Sequence, residues 1–67
     1  MDGWKLRLKH EGEELQERVY KLEEFQESDE WLTLDESERG LLVIQLAAMT
    51  TYLSVLAVRM LKHGLAT

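Results

Sequence analysis

Between Arg39 and Arg59 the chain runs nineteen residues without a charge, from Gly40 to Val58. It contains no proline that would interrupt a helix there or elsewhere. At about 100° per residue its polar side chains, Gln45, Thr50, Thr51 and Ser54, scatter around the helix axis and make no single polar face. A helix that is apolar on all sides is buried on all sides. The 67 residues form one small domain at most, here residues 1–67, too short for an α/β or barrel enzyme scaffold. With no cysteine there is no disulfide or zinc staple to help a small core. Hydrophobic content of 45% rules out intrinsic disorder.

What precedes the uncharged run is of the opposite kind. All thirteen acids lie in residues 1–39, against six Lys or Arg, giving −7; residues 40–67 have two bases and no acid, giving +2. Leu8, Leu15, Val19 and Leu22, then Phe25 or Gln26, follow helical spacing, while Glu13, Glu14, Glu17, Arg18, Lys21, Glu23 and Glu24 fill the other faces. This predicts an amphipathic helix over about 4–26, with Glu14–Arg18 and Glu17–Lys21 pairs one turn apart. Gly12 lies inside it at a cost of about 1 kcal/mol relative to Ala, so either the helix kinks or something approaches its backbone closely. A short separate N-terminal helix is the alternative.

Residues 27–34 form a polar connector in which Trp31 and Leu34 are expected to fold back as a lid. Helix two is expected over about 35–63, roughly 40 Å at 1.5 Å per residue. Thr33 with Glu36 forms one capping-box frame and Asp35 with Glu38 a second. Lys62, His63, Gly64 and Leu65 mark its end. The expected fold is all-α, a two-helix antiparallel hairpin. Helix one covers only one side of helix two, and the remaining apolar surface exceeds what a monomer leaves exposed. Assembly into a homo-oligomeric helical bundle through helix two follows. A single-pass membrane span is the competing reading of the same run, disfavoured by its polar load and the water-facing caps.

No metal-binding spacing, nucleophile triad or phosphate loop occurs: Glu14 stands where the second His of an HExxH motif would be. The chain is therefore expected not to be an enzyme, and no cofactor is implied. The net charge of −5 argues against binding a nucleic-acid polymer. The basic residues are concentrated instead: Lys5, Arg7 and Lys9 open helix one, and Arg59, Lys62 and His63 close helix two. An antiparallel hairpin makes those two ends neighbours, which gives an anion pocket for a small phosphorylated ligand. Trp4, beside these cations, is placed to stack on a base.

The run Arg7-Leu8, Glu11, Glu14-Leu15, Arg18, Lys21-Leu22, Phe25, then Trp31, Leu34, Arg39, Leu41-Leu42, Gln45-Leu46, Met49, Tyr52, Leu56, Arg59 resembles the second type of phage anti-CBASS proteins over residues 4–61. These small helical proteins act as sponges for cyclic oligonucleotide signals. The resemblance implies a homohexamer of interlocked dimers that sequesters cyclic dinucleotides, cyclic trinucleotides or both without hydrolysis. In the host cytoplasm it would keep the CBASS effector switched off. In this register Gly12 occupies a position where the family often has a base-stacking aromatic. Ser28, with Gln26 and Glu27, stands where a cation is expected. Candidate ligand-binding residues are Trp4, Arg7, Lys9, Gly12, Ser28, Arg59 and Lys62, with trinucleotides expected to bind more tightly than dinucleotides. A structural adaptor that binds a protein through its acidic loop end is the alternative from another class.

Overall fold

The computed structural model describes residues 3–65. It contains helix α1, Gly3–Gln26, a 3₁₀ helix at Asp29–Thr33, and helix α2, Glu36–Lys62, with no strand among the described residues. The two long helices lie antiparallel in a rod of 47 × 17 × 16 Å. Helix α1 runs unbroken through Gly12, so the alternative of a separate short N-terminal helix does not hold. The intrahelical pairs Glu17–Lys21 at 3.2 Å and Glu14–Arg18 at 3.9 Å line its outer surface.

Gly12 is buried because α2 approaches there. A Cβ on Gly12 would stand 2.7 Å from Met60 Sδ, so the missing side chain makes the space that the thioether fills. Around this point Leu8, Leu15, Val19 and Leu56 form the buried core, with Leu46, Met49, Leu53, Met60 and Leu65 packed against it. The α1 members Leu8, Leu15 and Val19 are seven and four residues apart, which keeps them on one face.

The connector is built from local hydrogen bonds. Ser28 Oγ donates to the Phe25 carbonyl at 2.6 Å and Thr33 Oγ1 to the Glu30 carbonyl at 2.6 Å. Trp31 sits half-buried, edge-on to Phe25 with centroids 6.1 Å apart. Since the Thr33 hydroxyl turns back to Glu30, the Thr33–Glu36 frame is not the one that caps α2. Asp35 is the N-cap, its carboxylate accepting from the Glu38 amide at 2.7 Å. Acids at Glu36 and Glu38 add the charge that favours a helix start. At the other end the Leu65 amide donates to the Met60 carbonyl at 2.8 Å and the Gly64 amide to the Leu61 carbonyl at 3.1 Å. This is a Schellman closure. Gly64 takes the required left-handed backbone at φ +71°, and Leu65 folds onto the core.

Helix α2 is covered along one stripe. Leu42, Leu46, Met49, Leu53 and Met60 are half-buried, and Leu56 alone among its residues is fully buried. Leu41, Val43, Ile44, Val55, Val58 and Leu61 are each at least half exposed. Away from α1 runs a seam of exposed residues, Gly40, Val43, Ala47, Thr50, Ser54, Ala57 and Leu61, alternating three and four apart. That is the heptad rhythm of a helix that packs against another helix, made mostly of small side chains. By length and composition α2 could also cross a membrane; the mean hydropathy of its most apolar 18 residues is 2.0.

Candidate ligand site at the open end of the hairpin

The antiparallel packing brings the start of α1 to the end of α2. Trp4 meets His63 edge-on with ring centroids 4.8 Å apart, and Lys5 Nζ lies 5.6 Å from the Trp4 ring centre. The indole is 40% exposed, so one side is held by His63 while part of the ring remains open to solvent. Arg7 folds back along the first turn: a Cβ on Gly3 would stand 3.2 Å from its Nη1. Arg59 and Lys62 occupy the last turn of α2, where positive charge complements the helix dipole.

One interhelical polar contact orders this end. The Tyr52 hydroxyl on α2 donates to the Glu11 carboxylate on α1. This bond raises the Tyr52 phenol above its ordinary value of 10.0, aided by desolvation and the Glu11 charge, while Arg59 pulls the other way. Arg7 lies one turn before Glu11 and Arg59 two turns after Tyr52, so both arginines belong to the flank this contact marks. Lys5 and Lys9 project on the opposite flank of α1 and are half-buried.

Of the residues singled out in the sequence, Trp4, Arg7, Lys9, Arg59 and Lys62 are therefore brought to the open end, with Arg7 and Arg59 on one flank, Lys9 on the other, and Lys62 on the side of α2 turned away from α1. Gly12 lies near them but faces inward against Met60. Ser28 is at the far end of the rod, its hydroxyl spent on the Phe25 carbonyl, and within one chain it does not join the others. Glu11 and Tyr52 are what sequence reasoning missed. Glu11 reads as one more solvated acid and Tyr52 as packing, and only the interhelical register pairs them. The spacings Arg7–Glu11 and Tyr52–Arg59 were the available signal.

A shallow concavity on α1, lined by Glu14, Glu17, Arg18 and Lys21, is bounded by charges already paired along the helix. Among the described residues no group of three His, Asp or Glu side chains is arranged to hold a metal ion. The open end offers guanidinium and ammonium donors for phosphate, an aromatic face for a base, and one fixed carboxylate.

The family model described as Sequestin matches residues 2–62. No curated protein and no solved structure matches the chain.

Proposed function

The chain belongs to the Sequestin family, the anti-CBASS sponge family of small phage proteins, and from that membership we infer that it sequesters cyclic oligonucleotide second messengers without cleaving them. The family suggests a binding role toward a small molecule inside the host cell. The observation that carries the reading is the match over residues 2–62, which spans both helices and every candidate site residue. The open end supports it: Arg7, Arg59 and Lys62 suit phosphodiesters, and Trp4 keeps part of its ring free for a base.

The working unit in this reading is a cytoplasmic homo-oligomer, a hexamer of interlocked dimers, with α2 covered by other copies. The exposed heptad seam and the apolar residues beside it support this. Leu41, Val43, Ile44, Val55, Val58 and Leu61, each 50–71% exposed, stand to contribute about 1–2 kcal/mol apiece on burial of what remains. Several copies would bring several Arg59 side chains to one pocket, and a neighbour could supply Ser28. Gly12 faces Met60 and has no ring to stack, so cyclic trinucleotides are expected to bind more tightly than cyclic dinucleotides.

Calorimetric titration with a panel of both tests this. Binding without loss of intact ligand is the expected result, and Arg59→Ala is expected to weaken it while the particle mass stays unchanged. No heat across the panel would end the sponge reading. The mean hydropathy of 2.0 over the most apolar 18 residues of α2 favours a second reading, a single-pass membrane protein. A monodisperse oligomer purified without detergent would exclude it.

A further inference from the structure

The Glu11–Tyr52 contact has more to do than hold the helices together. Both side chains are exposed, Tyr52 at 44%, so water competes for the bond and its contribution to the fold is small. The hairpin is held by Leu8, Leu15, Val19 and Leu56. What the contact does achieve is to fix one carboxylate on the flank that carries Arg7 and Arg59. Arg59 is near enough to Tyr52 to oppose the effect of Glu11 on its ionisation.

A fixed carboxylate near Arg59, with Arg7 on the same flank but folded back toward Gly3, is a poor arrangement for holding bare phosphate, because it repels an anion that reaches Arg59. It is a good arrangement for a molecule that presents phosphodiesters and neutral donors a few ångströms apart. The phosphates take the guanidiniums, and an N–H or O–H donor takes the carboxylate. Tyr52 occupies one of about four acceptor positions on the carboxylate, leaving others for an incoming donor.

We propose that Glu11, oriented by Tyr52 as a positioning residue, is the specificity-determining residue of the open end. It accepts a hydrogen bond from the nucleoside part of a cyclic nucleotide and turns away polyphosphates that carry no nucleoside. The donor is a ribose hydroxyl or a base N–H. This rests on the sponge reading above.

Calorimetric titration of the full-length protein with three probes tests it. Cyclic tri-adenylate and cyclic di-guanylate carry nucleosides; cyclic trimetaphosphate carries only a ring of phosphates. Unsubstituted protein binds a nucleotide ring and not trimetaphosphate. In Glu11→Gln the nucleotide ring weakens by about 10-fold or more, the loss of one charge-assisted hydrogen bond, while trimetaphosphate binding strengthens. Tyr52→Phe keeps the carboxylate but frees it, and the nucleotide-to-trimetaphosphate ratio falls part of the way. A merely structural role would lower both affinities together and leave the ratio unchanged. That result, with nucleotide binding intact in the unsubstituted protein, overturns the proposal and leaves the sponge reading standing. Failure of the unsubstituted protein to bind either nucleotide ring overturns both. The 2′-deoxy form of whichever ring binds separates the donors: weaker binding assigns the ribose hydroxyl, unchanged binding the base N–H.

Discussion

At Gly12 the absent Cβ is replaced by Met60 Sδ, which would lie 2.7 Å from that atom. Two opposing effects decide what a substitution does there. Alanine gains up to about 1 kcal/mol of helix propensity, and the flexible end of Met60 moves aside to admit one carbon. Gly12→Ala is therefore expected to change stability by less than about 1 kcal/mol. Gly12→Phe inserts a ring between the helices and is expected to destabilise by about 1–3 kcal/mol, with part of the loss recovered in Gly12→Phe/Met60→Ala. Thermal melts of the three variants check this, and a fully stable Gly12→Phe would contradict the close approach. Tyr52 makes a different prediction. Its folded phenol titrates above the ordinary 10.0, so the stabilisation from its bond to Glu11 is present below that pH and is lost as pH rises through the raised value. Tyrosinate absorbance should show a late phase that disappears in Tyr52→Phe and moves to lower pH in Glu11→Gln.

The ends of α2 depend on one or two residues each, and the N-terminal cap separates the two capping frames the sequence allows. Asp35→Ala removes the bond to the Glu38 amide and is expected to cost about 0.5–2 kcal/mol, whereas Thr33→Ala removes an exposed turn contact and is expected to cost less. Chemical denaturation of both variants gives the order; the reverse order would place the cap at Thr33. Local signals of this kind are legible in sequence because cap, charge and glycine act within one turn. Asp35, Gly64 and the Leu8-Leu15-Val19 stripe all show in the order of residues alone. The choice between Thr33 and Asp35 does not, since both offer an oxygen three residues before a glutamate. Nor does the Glu11–Tyr52 pairing, which depends on how far α1 slides along α2. That register is set by Leu56 and Met60 meeting the α1 face. Ser28 reads from sequence as a site residue, yet its position at the connector places it at the far end of the rod.

At the scale of the whole molecule, the covered stripe of α2 and the uncovered seam about 100° around from it make separate demands. Changes on the covered stripe affect the hairpin; changes on the seam are expected to affect assembly. Thr50→Lys puts a charge at the middle of the Gly40–Leu61 heptad seam while leaving the α1 contact untouched. It is expected to reduce the particle mass in light scattering, with helicity lost or retained according to how far the hairpin depends on its neighbours. An unchanged mass would remove that seam from the interface. Leu56, the only fully buried side chain of α2, has a consequence for dosage. In the proposed homo-oligomer a protomer with so little interior would draw its stability from association, so its melting temperature is expected to climb with protein concentration. On the proposed function, this would make the supply of sponge in an infected cell nonlinear in synthesis. The first chains made would be short-lived, and binding capacity would arrive abruptly once their number passed a threshold.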